Sequence, residues 1–509
     1  IDRTQLSIAA GVTPIETLRV QGSASYVKSG GKNRPLNDGG SLNSATYQYL
    51  WWQRSTETQM AKRAYDLWLE QGSEFGPDHP GYGLPRNWNH NYWDNIYFVL
   101  AEAGNQDTRD RFIGNVDLDY TITDNVSLSA RVGTDWYEHR RKNVFPKFSH
   151  DYKFGAFIDQ TIFRQETNFD VVLSAQGDLN DDFNLSVRAG VNRRANDTNR
   201  HSIETENLII AGLYTPQNSA VPPTIDNWIT EKRVYSTYGL SSLSFRNYAF
   251  VDVTARNDWS SSLPEGNNSY FYPSVSAALV VSDAFQWDGG VFDYLKVRGS
   301  WAEVGSDADP YQTSAVMTQL QTFQGSPGFI PSNDLPALNL KPEITTSWEV
   351  GADVRFADNR MTLDLTYYNT KTRDQILEVP ISTTSGFANQ IINAGEVKNA
   401  GIEALLTTEI MRGSGIQWDM TLNWARNRSE VLALHESLDR IVLGSYAVTY
   451  EARIGEAYGT VYGDEYRRDA NGTPIIDANG WPLRSTTKQP LCPGGATSVC
   501  KEGERATSE

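Results

Sequence analysis

The residues that could do chemistry are few in kind. Carboxylates are abundant, histidines number six and cysteines two. Two carboxylates could flank a glycosidic bond, but no pair stands out. The acids alternate with apolar residues along strand-like segments, which fits the lining of a hydrated lumen better than an acid–base pair. No G-x-S-x-G, G-x-G-x-x-G or Walker A pattern occurs. His435-Glu436 is followed by Ser437, Leu438 and Asp439, so the zinc-protease spacing fails. Asp469-Ala470-Asn471-Gly472 recurs as Asp477-Ala478-Asn479-Gly480. Neither copy extends into a calcium loop with its distal Glu, so both are expected to be short hairpin turns. No catalytic residue, cofactor site or metal site is assigned. Cys492 and Cys500 both lie in the C-terminal tail, where a disulfide between them would be local and would suit an oxidising compartment.

Trp51, Trp52, Trp88 and Trp93 fall in one long irregular segment, 29–109. Two roles are open to them. Exposed rings stack on sugars or peptides, and buried rings pack a loop. Packing is favoured, because the same segment contains a helical face to bury. Met60, Ala64, Leu67 and Trp68 follow helical spacing, and Gly72 is placed to end that helix.

The elements that must hold these residues are strands. The chain has 509 residues, 11% aromatic, with 40 Gly, a β-rich composition. There is no run of about 18 apolar residues, so no membrane-spanning helix is expected. A β-barrel hides its membrane signal by alternation, so a membrane location stays open. The net charge of −17 works against nucleic acid as a partner.

Alternation is clearest at 345–356. Thr346, Trp348, Val350, Ala352, Val354 and Phe356 share one face, and Thr345, Ser347, Glu349, Gly351, Asp353 and Arg355 share the other. Hairpins with the same pattern are expected around Asp124, Asp181 and Gly413. Short turns near Thr13, Asp124, Asp181, Asn247, Asp358 and Gly413 alternate with long stretches at 29–109, 139–152, 196–229, 258–269, 306–343 and 373–394. Short turns at one end and long loops at the other are the asymmetry of an outer-membrane barrel. A soluble sandwich has no such bias. The pattern gives about 15 strands of about 11–13 residues, longer than the strands of most globular sheets. Trp136, Trp348 and Trp418 are expected in the aromatic girdle. The stretch 485–509 has no period and is expected to be irregular.

Several segments resemble the SusC/RagA class of TonB-dependent outer-membrane transporters of Bacteroidota. They are ARNDWSSSLP at 255–264, SYFYPSVS at 269–276, LKPEITTSWEVG at 340–351, DQIL at 374–377, INAGE at 392–396 and NAGIE at 399–403. DRFIG at 110–114 and RVGTD at 131–135 fit as well, and the ordered set covers most of 1–484. The resemblance implies an all-β, antiparallel up-and-down transmembrane barrel in the outer membrane, active uptake of glycans or peptides, no enzymatic step, and a SusD-like surface lipoprotein as lid. It also implies drive by the TonB complex through a plug inside the barrel. Trp51, Trp52, Trp88 and Trp93 would then be cargo or lid contacts. The family barrel has about 22 strands. With about 15 strands, no plug-like segment, and an unrelated 485–509, the chain is expected to be a fragment of a longer protein. Two alternatives stand beside this reading: a siderophore-type or passive barrel without a lid lipoprotein, and a secreted polysaccharide-binding β-sandwich.

Overall fold

The structure is a computed structural model. It describes residues 2–34, 44–54, 57–79, 82–89, 92–287, 291–412, 415–435, 438–445, 448–463, 466–469, 473–477, 480–483 and 489–490. Cys492 and Cys500, and all of 485–509 except Gln489 and Pro490, lie outside the described residues, as do Ala470–Gly472 and Ala478–Asn479.

Fourteen strands form one sheet in sequence order. They are β1 (Asp2–Ile15), β2 (Leu18–Lys32), β3 (Gln106–Thr123), β4 (Val126–Phe145), β5 (Ala156–Asp178), β6 (Phe183–Glu206), β7 (Thr224–Phe245), β8 (Ala249–Ser260), β9 (Ser269–Val280), β10 (Phe292–Ser306), β11 (Glu343–Phe356), β12 (Met361–Arg373), β13 (Glu396–Arg412) and β14 (Gln417–Ala433). β1 and β14 are the two edges of this sheet. Three small sheets are built from the loops, among them the pairing of Ile441–Ser445, Thr449–Ala452 and Thr460–Gly463. Among the described residues no helix is long and apolar enough to cross a membrane. The chain divides into two compact units, one of residues 1–120, 129–170 and 193–232, the other of 121–128, 171–192 and 233–509.

The strand order is the up-and-down order expected, but three details differ. The sheet has 14 strands where alternation suggested about 15. β4 to β7 run for 20 to 24 residues, so 139–145, 196–206 and 224–229, expected as loop, are strand. At 139–143 and 196–202 the residues are polar on both faces, so the apolar alternation that marks a membrane-facing strand stops before the ladder does. The first turn lies at Glu16–Thr17 rather than near Thr13. The β7–β8 turn places Arg246 and Asn247 at φ 47° and 56°, the left-handed pair that a tight hairpin needs. At the repeated segments near the C-terminus, Asp469 and Asp477 each accept a backbone N–H four residues on, from Thr473 and Trp481, both at 2.9 Å. Among the described residues no cluster of metal-ligating side chains occurs.

The sheet has two unlike faces. Trp301 pairs directly with Trp348, and Val297 with Ala352, so these residues share the apolar face. Arg298 pairs with Gly351 on the other face and holds both Asp353 and Asp364, the latter at 2.8 Å. In the first unit, Phe112, Trp136 and Phe163 stack in a row, with 6.1 Å between successive centroids. Leu6, Ile8 and Val12 of β1 are exposed on the same apolar face. A band of open apolar side chains bounded by aromatic rings is what hydrocarbon solvates and water does not.

Candidate functional site

The long segment between β2 and β3 folds into a helical cap. It contains three helices, α1 (Ala45–Leu50), α2 (Thr58–Gln71) and α3 (Ile96–Glu102), where spacing indicated one. α2 ends at Gly72, at φ 78°. Its buried residues are Ala61 and Tyr65, with Trp68 half-buried beside them; of the expected stripe Trp68 therefore faces inward, and Met60 and Leu67 are exposed. The displaced phase follows from the partner. Trp68 meets Phe98 of α3 edge-on at 5.3 Å and donates from Nε1 to Gly83 O at 3.0 Å. In this phase both large rings with donors are satisfied, Tyr65 donating from its hydroxyl to Glu102 at 3.0 Å.

Asn95 organises the cap. It is fully buried and sits at the N-cap of α3. Its Oδ1 accepts from Tyr97 N at 2.9 Å and Phe98 N at 3.4 Å. Its Nδ2 donates to Ala61 O and Arg86 O, both at 2.8 Å. One side chain thus closes α3 and ties it to α2 and to the connecting loop. Asn87 Nδ2 likewise donates to Trp93 O and Asp94 O. Gly83 is required where it stands: at φ 81°, a Cβ would lie 2.3 Å from the Phe148 ring.

The four candidate tryptophans do not form one surface. Trp52 lies 6.1 Å from Trp88, and Trp88 lies 6.4 Å from Trp93, so these three pack on one another. Trp93 is only 7% exposed. Trp51 is 45% exposed, and two tyrosines of the same segment, Tyr49 and Tyr92, are 53% and 60% exposed. Sequence spacing did not mark these two tyrosines, since an exposed ring in a loop has no periodic signature.

The cap is fastened to the sheet by buried polar groups. Asn105 Oδ1 accepts from Val144 N at 2.8 Å. Asp94, wholly buried, accepts from His150 N at 2.9 Å. Burial pushes the Asp94 carboxyl up to about 8, the His150 bond opposing this and the charge of Asp151 adding to it. The folded cap therefore keeps a proton that the opened cap releases near pH 4. Stability contributed by this group is complete below that pH and declines as pH rises to about 8. D94N is expected to remove the decline, seen as equal rates of limited proteolysis within 57–104 at pH 5 and pH 8. A wild-type cap that is cleaved no faster at pH 8 would refute the assignment.

The sequence profile of the family described as "TonB dependent receptor-like, beta-barrel" matches residues 31–487. TonB-dependent receptor P26 of Formosa agariphila is 26% identical over 438 residues, covering 81% of this chain and 42% of that protein. TonB-dependent receptor SusC of Bacteroides thetaiotaomicron is 23% identical over 395 residues, covering 72% and 39%. The chain thus spans less than half the length of these curated relatives. The solved structure of the RagAB peptide transporter superimposes with a TM-score of 0.75 at 16% identity, over 98% of this chain and 53% of that one. With its two-faced up-and-down sheet and a family match over most of its length, the chain belongs to the TonB-dependent receptor β-barrel family of outer-membrane transporters.

Proposed function

We propose that the chain is the greater part of the barrel of an outer-membrane importer of the SusC type. In this reading the whole protein takes up an oligosaccharide or a peptide, a SusD-like lipoprotein covers the outer opening, and the TonB complex supplies the energy. The step is transport, and no bond is made or broken. The observation that carries the reading is the two-faced character of the strands in each unit: in the second, Trp301 and Trp348 on an apolar face opposite paired charges such as Arg298–Asp353, and in the first, the Phe112–Trp136–Phe163 row opposite Arg111–Asp135. Such a wall suits lipid outside and hydrated cargo inside. Similarity to SusC supports the type, and the fold shared with RagAB, described as a peptide transporter, agrees with it.

Within the cap, Trp51 is the ring that cargo or lid would meet, and Trp93 is a packing residue. W51A is expected to weaken cargo binding by about fivefold to tenfold with the melting temperature unchanged. W93A is expected to cost the cap about 3–5 kcal/mol, read as accelerated proteolysis of 44–105. The reverse pattern would exchange the two roles. The reading as a whole is tested by isolating the native protein from outer membranes in mild detergent and identifying its full chain and companions by mass spectrometry. A longer chain with a bound surface lipoprotein is the expected result. Uptake that persists without TonB, and no lipoprotein, would overturn it.

A further inference from the structure

In the second unit, charge sorts by face on the last three strands. The register sets Trp348 of β11 beside Asn369 of β12, Ala400 of β13 and Arg428 of β14, so these four share the apolar face. Along each strand that face begins with Leu363, Leu406 or Leu422 near the tight turns and passes through the rings of Tyr367 and Trp424. Beyond the rings, toward the long connections, it turns basic. Its charged residues on β12 to β14 are Lys371, Arg373, Lys398, Arg426 and Arg428, against Glu396 and Glu430. Beyond Trp301 and Trp348, β10 adds Glu303 to this face and β11 adds no charge. The opposite face of β12 to β14 carries Asp364, Glu403 and Asp419 instead.

The carboxylates do not cover the cations. Glu396 takes Lys371, Glu303 takes Arg373 at 3.4 Å, and Glu430 stands opposite Lys398 in the ladder. Arg426 and Arg428 are left over. Both are exposed, and among the described residues neither forms a salt bridge. Their direction is set by the pleat, since Leu422, Trp424, Arg426 and Arg428 alternate with Asn423, Ala425 and Asn427. Turning the two arginines to the other face would take a slip of one residue, which would turn Leu422 and Trp424 with them. The first unit is matched where its own rings end. Past Tyr26 and Trp136 on the same strands, Lys28 has Asp110 at 3.8 Å, Arg140 has Glu138, and Lys142 has Asp159 at 4.0 Å.

We propose that Arg426 and Arg428, with Lys371 and Lys398 beside them, form a docking site for a phosphorylated glycolipid of the outer leaflet. The proposal rests on the outer-membrane reading above, in which the long connections lie on the outside. Cations just past an aromatic belt stand at the level of lipid headgroups, where the anions on offer are phosphates. Guanidinium forks receive such tetrahedral oxyanions bidentately. Arg426 and Arg428 lie about 7 Å apart along β14, and Lys371 lies two strands, or about 10 Å, to the side. That span reaches two anionic groups on one broad headgroup, more than the single phosphate of an ordinary phospholipid. Ile402, Leu406 and Leu422, on the same face below the arginines, then offer acyl chains their contact.

The test takes the full-length transporter, stripped of lipid in mild detergent, and counts bound lipid by native mass spectrometry. Three probes are offered separately: bisphosphorylated lipid A, the same lipid dephosphorylated, and phosphatidylglycerol. Bisphosphorylated lipid A is expected to be held at least about tenfold more tightly than either of the others. R426Q/R428Q is expected to weaken it about fivefold for each guanidinium removed, and R426K/R428K to recover part of the loss. K28Q, which removes a cation from the first unit, is expected to leave it unchanged. The compact form on an unboiled detergent gel reports that each variant has folded, and the lipid panel on the unsubstituted protein decides the matter where one has not. Equal retention of dephosphorylated lipid A or of phosphatidylglycerol would overturn the site. So would undiminished retention by folded R426Q/R428Q, including the case in which that variant loses an acidic protein companion instead. Uptake by whole cells separates this from the importer reading. TonB-dependent uptake without a preference for phosphorylated lipid A ends the docking site alone, and that preference without TonB-dependent uptake ends the importer alone.

Discussion

Val350→Arg is expected to destabilise the folded protein by about 2–4 kcal/mol in lipid vesicles, and to deplete it from outer membranes. Val350 lies on β11, two residues from Trp348 on the apolar face, and is 50% exposed. A guanidinium there must enter hydrocarbon or distort the bilayer to reach its surface. The control is Ser347→Arg on the opposite face, where Ser347 pairs with Ala302 and Thr370. That face is polar, and the cost is expected to stay within about 1 kcal/mol. Denaturant unfolding of the full-length protein in vesicles measures both. A larger loss for Ser347→Arg would mean that the two faces have been assigned the wrong way round.

Asn95→Ala is expected to open the helical cap while leaving the sheet intact. The substitution removes two acceptor bonds at the start of α3 and two donor bonds to Ala61 O and Arg86 O. It strands Ala61 O in a buried site and Arg86 O in a partly buried one. Buried groups left without partners cost about 1–3 kcal/mol each, so a local loss above about 3 kcal/mol is expected, enough for the cap to unfold as its own unit. Amide exchange in α2 and α3 should then accelerate by about 100-fold, with β11 to β14 unchanged. Asn95→Asp keeps the cap acceptor but loses the donors, and should fall between. A cap that exchanges normally in N95A would show that Asn95 is not its keystone. Because Trp51, Tyr49 and Tyr92 belong to this cap, N95A should also impair cargo binding, although Asn95 itself is buried beyond cargo's reach.

Much of the wall was legible without a structure. Trp348, Val350 and Ala352 alternate with Ser347, Glu349 and Gly351, and the pleat turns that alternation directly into two faces. The turns at Asp124, Asp181, Asn247 and Asp358 are close to where their residues place them. The upper strands were harder to read. From 139 to 143 and from 196 to 202 the ladder continues with polar residues on both sides, and a periodicity of apolar residues vanishes where neither side meets lipid. The cap was partly legible: a helix near Met60 has a local signal, but its phase depends on Phe98 and Gly83, distant in sequence.

The sequence by itself determined the family, the up-and-down strand order and the assignment of residues to faces, because pleat and turn chemistry are set by near neighbours. The tertiary structure alone decided which rings are open and which are packed, so that Trp93 is buried while Trp51 faces solvent. It also decided which charges are matched. Arg298 finds Asp353 and Asp364 across two strand pairings, whereas among the described residues Arg164 and Arg194 form no salt bridge. Charge pairing is a property of strands brought side by side from positions far apart in the chain, and no local pattern encodes it.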